Sequence, residues 1–210
     1  MGNSLSFVLI CLIRDQNGIL SLFDLQGKRI TNNELSVLFP DKICIVHLAL
    51  WNNFLFVQLR NGQLVILDLR NYYITTNLKC GAITFCKFTF NPNHLLLAYP
   101  NTNDASIEIA RFDESMSFLT SDIFDLGNGK EMGCLTVLKF IIPSNRLLFA
   151  TDSGIIGSVQ SLDQIKKYKL LDFAGISSFL LNSYLSFSLF NGNIGKCFGS
   201  VWLFFPSCLD

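Results

Sequence analysis

Two histidines, seven cysteines and a few aspartates are the side chains with which this 210-residue chain could do chemistry. Acid–base or nucleophilic catalysis needs such groups within hydrogen-bond reach of one another. His47 lies inside the alternating run Ile43 to Leu50, so it reads as a strand histidine with a hydrogen-bond partner rather than a general base. His94 follows Pro92 in a turn and reads as solvated. The cysteines are Cys11, Cys44, Cys80, Cys86, Cys134, Cys197 and Cys208; their number is odd and none are spaced C-x-x-C. Several sit in apolar runs, where free cysteine behaves as a small hydrophobe, and a reducing compartment fits better than a disulfide framework. With two histidines far apart, zinc finds no ligand pattern. Gly127-Asn128-Gly129-Lys130 has the outline of a phosphate loop but lacks the first half of that pattern and the Ser or Thr after Lys. Ser153-Gly154 is not set in a G-x-S-x-G elbow. Asp15, Asp24 and Asp68 could be read as paired carboxylates, but Asp24 and Asp68 recur at equivalent places, which fits structural hydrogen bonds at turns. A non-enzymatic protein without cofactor or metal is expected.

Binding chemistry has more to work with. Trp51-Asn52-Asn53 places an aromatic beside two amides in a turn, and Trp is enriched among interface anchors. Arg14-Asp15 fits a local salt bridge or turn bond, with partner contact as the alternative role. The connection from Phe118 to Met132 is long enough to be a binding loop. Met1-Gly2-Asn3-Ser4-Leu5-Ser6 matches an N-myristoylation pattern at Gly2, against a competing reading in which Leu5 already begins a buried strand. Sixteen basic and sixteen acidic residues balance, so nothing points to direct nucleic-acid binding. Mean hydropathy is positive at +0.40. Yet each apolar run is short of the ~20 residues that a spanning helix needs, and no transmembrane segment is expected.

The elements that must carry these groups repeat. Asn17-Gly18, Asn61-Gly62, Asn103-Asp104, Ser153-Gly154 and Asn191-Gly192 each precede an apolar strand-like run. From Leu25 to Leu69 is 44 residues, on to Phe112 another 43, and on to Leu162 another 50. A period near 40–45 residues is that of WD40 blades. In the second period the strands are Ile43 to Leu50, Phe54 to Leu59 and Leu64 to Leu69. In the third they are Ile83 to Phe90, Leu95 to Tyr99 and Ile107 to Phe112. In the fourth they are Leu135 to Ile142, Arg146 to Thr151 and Ile155 to Leu162. The outer strands are less distinct; Tyr72 to Leu78, Met116 to Thr120 and Lys167 to Asp172 are the candidates. Asn-Gly supplies the positive φ of tight hairpins, and Pro stops a ladder by removing a donor. The expected fold is all-β, a WD40-like β-propeller with about four to five blades present, an incomplete ring. Blades fill 5–198, with ends near 25, 69, 113 and 162, and 199–210 is an irregular hydrophobic tail. A β-sandwich with even strand spacing is the competing architecture.

The WD dipeptide is reduced to Phe23-Asp24 and Leu67-Asp68. Arg14-Asp15, then Asn17-Gly18 and Leu22-Phe23-Asp24-Leu25, resembles the "G-R-D-x…W-D-L" blade of the ASTRA-associated protein 1 family. Animal guanine-nucleotide-binding-protein β-subunit-like proteins share that blade. Phe85-Cys86-Lys87-Phe88 with Leu97-Ala98-Tyr99-Pro100 is similar to the next landmark of that family. Met132-Gly133, Leu135 to Phe140, Leu147-Leu148 and Asp152-Ser153-Gly154 are similar to a third. The resemblance covers roughly 9–162; Ile13 stands in place of Gly, Phe23 in place of Trp, and Ser161-Leu162 lacks the Trp ending. The resemblance implies a nuclear WD-repeat scaffold that associates with the ASTRA assembly, linked to chromatin remodelling and to maturation of large phosphatidylinositol-kinase-like kinases. The alternatives are a lipid-anchored or cytoplasmic adaptor, and a truncated or frame-altered remnant of a longer propeller.

Overall fold

The computed structural model describes residues 11–14, 20–23, 44–71, 73–81, 86–103, 105–142, 145–160, 165–169, 176–181, 185–189, 194–198 and 201–205. These are all-β apart from one helical turn, Gly129–Met132. The chain divides into two compact units, Met1–Asn77 and Leu78–Asp210.

The first unit opens with a hairpin of β1 (Cys11–Arg14) and β2 (Leu20–Phe23), paired from Cys11↔Phe23 to Arg14↔Leu20. Next comes a four-stranded sheet of β3 (Ile45–Trp51), β4 (Phe54–Leu59), β5 (Gln63–Asp68) and β6 (Tyr73–Lys79), in sequence order. The middle strands have near-continuous apolar sequences, Phe-Leu-Phe-Val-Gln-Leu and Gln-Leu-Val-Ile-Leu-Asp, because both of their faces are covered: every residue of β4 is buried. Ile45, Leu55, Val57, Leu59, Val65 and Leu67 form one core cluster, onto which Leu48 and Ile74 pack. Removing such a side chain from water contributes about 1.5–3 kcal/mol. The β4–β5 turn works as its residues suggest. Gly62 takes φ 82° and donates to Leu59 O at 3.2 Å, while Asn61 Oδ1 accepts from Gln63 N at 3.2 Å. An L-residue with a branched side chain would be strained at that φ.

The second unit holds three more four-stranded sheets among its described residues. The first contains β7 (Thr89–Asn91), β8 (Leu96–Pro100), β9 (Ser106–Phe112) and β10 (Phe118–Asp125). The second contains β11 (Leu135–Ile141), β12 (Arg146–Thr151), β13 (Ile155–Val159) and β14 (Ile165–Lys169). The third contains β15 (Ile176–Leu181), β16 (Leu185–Leu189), β17 (Ile194–Phe198) and β18 (Val201–Phe205). The first two sheets pack on each other through one core: Leu96, Ala98, Ile107 and Phe124 meet Leu135, Leu138, Phe140, Leu147, Phe149 and Val159. Asn91 Nδ2 donates to Asn145 Oδ1 at 3.0 Å, joining the turns at one end of these two sheets.

Three expectations change. The segment 199–210 was expected to be an irregular tail, yet Val201–Phe205 pairs with β17 from Ile194↔Phe205 to Phe198↔Val201 and completes a sheet. Its uncharged, β-prone sequence carries no turn signal of the repeat, but that composition is what an extended, ladder-forming strand favours. The outer strand expected at Met116 to Thr120 lies instead at Phe118–Asp125, and the one expected at Lys167 to Asp172 at Ile165–Lys169. Outer strands are exposed on one or both faces, so apolar alternation marks their ends poorly.

Candidate partner-binding site

The turn between β3 and β4 closes with two residues, because Trp51 pairs directly with Phe54. Asn52 takes φ 51°, a left-handed conformation that Asn tolerates better than most L-residues. Across the sheet end Phe54 pairs with Asp68, the last residue of β5, and Leu69 N donates to Asn53 O at 2.8 Å. Register therefore sets Trp51, Phe54 and Asp68 in a row. The Trp51 and Phe54 rings stack at 6.2 Å with 19° between planes. The Arg70 guanidinium carbon lies 5.4 Å from the centroid of Phe54, within cation–π range.

Asp68 holds that guanidinium in place. Arg70 Nε donates to Asp68 Oδ1 at 3.0 Å and to Oδ2 at 3.1 Å, and Nη2 donates to Oδ2 at 2.6 Å. Arg70 N adds a bond to Oδ1 at 2.9 Å. The carboxylate is fully buried while the Arg70 side chain stays 49% exposed. The Arg70 side-chain hydrogen bonds hold the Asp68 carboxyl below the usual carboxylate range, against burial, which pushes it up. Nε and Nη2 are thus committed to Asp68, and Arg70 Nη1 makes no hydrogen bond among the described residues. The result is a half-exposed cation fixed over the Phe54 ring, which itself stacks on Trp51, with Nη1 left over among the described residues. Tyr73, exposed at the start of β6, lies close enough to influence it.

Of the residues that the sequence singles out, Trp51, Asn52 and Asn53 fall in this cluster, Asn52 and Asn53 exposed and Trp51 half-buried. Arg14 ends β1, opposite Leu20. Asp15, Asp24 and Gly2 lie outside the described residues. Arg70 and Phe54 were not singled out. The available signal was Asp68 two residues before Arg70 at a strand end, a spacing that lets a side chain fold back on its own turn.

The other candidates are used structurally. Asn128 caps the short helical turn by accepting from Lys130 N at 3.1 Å, and Gly127 N donates to Asp125 Oδ1 at 2.7 Å. Ser153 Oγ donates to Met132 O at 2.5 Å, and Asp152 Oδ1 accepts from Cys134 N at 2.7 Å. An added Cβ at Gly133, where φ is 70°, would run into that Asp152 oxygen. Tyr99, only 1% exposed, pairs across the sheet with Glu108, which accepts from Asn101 Nδ2 at 2.7 Å. Burial, with the Glu108 charge beside it, pushes the Tyr99 phenol far up; burial lifts the Cys80 thiol to about 11. The connection from Phe118 to Met132, expected as a loop, is strand β10 followed by the helical turn. Among the described residues no three His, Cys, Asp or Glu gather as a metal would require, and no helix is long and apolar enough to cross a membrane.

No family model matches the chain, and no curated protein matches it. Solved structures do. Hsv2 of Kluyveromyces lactis superposes with a TM-score of 0.68 at 14% identity, over 89% of this chain and 57% of that one. The β-propeller domain of Cps50 (Swd1) from Myceliophteria thermophila gives 0.65 at 13% identity, over 89% of this chain and 61% of that one. BamB of Moraxella catarrhalis gives 0.60 at 14% identity, over 91% and 55%. The chain spans a little more than half the length of the solved structures it matches. At such identities the likeness shows the fold, an all-β, WD40-like β-propeller.

Proposed function

We propose that this chain is a non-enzymatic WD-repeat scaffold that binds other proteins, with Trp51, Asn52, Asn53 and Arg70 as one contact surface. The observation that carries this reading is the Arg70 guanidinium held by Asp68, with Nη1 unbonded among the described residues. Trp and Arg dominate binding hot spots, and a side chain already locked in place loses little entropy on docking. An acceptor on the partner, a carboxylate or a backbone carbonyl, is the group that such a donor takes. The fold itself hosts many functions and favours none.

The finer reading is a nuclear subunit of an ASTRA-type assembly, supported by the order and spacing of the motifs within 9–162. Affinity purification followed by mass spectrometry is the test. Recovery of the large helical-repeat co-chaperone proteins is expected; their absence removes the ASTRA reading. A second reading, a lipid-anchored WD-repeat adaptor, is favoured by the residues Met1 to Ser6. Metabolic labelling with a myristate analogue, lost on Gly2→Ala, is its expected signature, and an unlabelled wild-type chain removes it.

A further inference from the structure

The outer strands of three sheets differ in a way that the scaffold reading does not use. β14 reads Ile-Lys-Lys-Tyr-Lys and β6 ends in Lys79, the charged edges by which natural sheets resist pairing with foreign strands. β10 reads Phe-Leu-Thr-Ser-Asp-Ile-Phe-Asp over Phe118–Asp125, with neither Lys, Arg nor Pro. It is the end strand of its sheet, paired on one side with β9. Its one irregularity lies between Phe118 and Thr120, after which six successive pairs run regularly from Thr120↔Arg111 to Asp125↔Ser106. Every second residue of such a strand turns its N–H and C=O away from its partner. Among the described residues no strand takes them up.

Side chains divide along this edge. Phe124, beside Ile107, points into the core, and Asp122, beside Ile109, shares that face. Ser121, Ile123 and Asp125 lie on the other face. Ile123 is 52% exposed, and Leu119 and Phe118, at the irregular end, are 57% and 44% exposed. The hairpin feeding the strand is rigid: Asp113 Oδ1 accepts from Ser115 N and Ser117 N, both at 2.9 Å. A pre-ordered edge loses little freedom on pairing.

We propose that β10 is a docking edge for an extended segment of another protein, added as a fifth strand, with apolar and basic residues in alternation. The unpaired backbone row selects an extended chain. Exposed Ile123 selects apolar side chains on one face of the added strand, and exposed Asp122, on the other face, selects basic ones. The proposal does not rest on the Arg70 cluster.

A fluorescein-labelled ten-residue peptide of alternating Val and Lys, titrated into the full chain by fluorescence anisotropy, is the probe. Saturable binding is expected. It weakens about tenfold with Ile123→Lys, which removes apolar contact at an exposed position, and about threefold with Asp122→Asn, the scale of one cross-strand charge pair. N-methylation at every peptide residue abolishes it, because the ladder donors of both edges are then gone. Equal binding of the N-methylated peptide, indifference to Ile123→Lys, or no saturable binding would overturn the proposal. So would dimerisation of the chain alone in sedimentation that Ile123→Lys abolishes, since the edge would then serve a second copy.

Discussion

The turns that follow β5 and β9 begin alike and end differently. Each has an aspartate where its strand stops, Asp68 at the end of β5 and Asp113 just past β9. Asp68 is buried and turns to the Arg70 side chain, whose plane it holds over Phe54. Asp113 takes the donors of its own turn: Ser115 N, Ser117 N, and Ser115 Oγ at 2.6 Å. One turn closes on itself. The other anchors a cation that still has donors to give. The residue two places on decides between them, Arg70 in one and Ser115 in the other. A repeated strand-end carboxylate is therefore a structural device, and where its partner remains half in water, as Arg70 does, a fixed charge is left at the surface.

The largest expected effect is on stability, from Asp68→Ala. It removes four hydrogen bonds to Arg70 and opens a buried site, at a cost of about 2 kcal/mol. Denaturant unfolding checks it, and a smaller loss is expected for Asp113→Ala, whose turn can be resolvated. Equal losses would break the contrast.

Acid gives the next effect. Both carboxyls are held below their ordinary range, Asp68 chiefly by the Arg70 side-chain bonds and Asp113 chiefly by the Ser115 hydroxyl. Their stabilisation is complete above the unfolded carboxyl value of about 3.9 and is lost as pH falls below it through the depressed folded values. Asp68→Asn and Asp113→Asn should each flatten that part of the stability–pH curve. Molar salt should shrink the wild-type advantage over Asp68→Asn, because it screens a charge pair that reaches the surface. The advantage over Asp113→Asn, whose donors are neutral, should hold. The same salt response in both would merge the two turns.

The smallest effect sharpens the comparison further. Arg70→Lys keeps the charge but not the planar fork or the stacking on Phe54. Stability by thermal melting should fall, but by less than with Asp68→Ala, because lysine keeps a charge beside the buried carboxylate without the fork that satisfied it, while partner binding falls. Full binding by the lysine variant would reduce the site to a point charge.

Much of this architecture is legible in the sequence, and the gaps have physical causes. The turn at Asn52-Asn53 and the strands Phe54–Leu59 and Arg146–Thr151 are found where the apolar runs and turn residues put them. Buried middle strands carry an unbroken apolar signal, and two-residue turns carry Asn or Gly. β10 is harder to delimit because Thr120, Ser121 and Asp122 face water and leave no alternation. β15, β16 and β18 belong to a sheet whose turns lack the Asn-Gly marker of the earlier repeats, apart from Asn191-Gly192, which is outside the described residues. Trp51 stands out by residue type. Arg70 does not, because its importance comes from cross-strand register, which brings residues 19 positions apart onto one stack.

The most direct test of the scaffold reading is quantitative affinity capture with the wild-type chain, Arg70→Ala and Asp113→Ala side by side. The expected result is a set of proteins whose recovery falls about tenfold with Arg70→Ala, as at a hot-spot position, and holds with Asp113→Ala. Recovery of the same proteins in the same amounts by all three chains would contradict it.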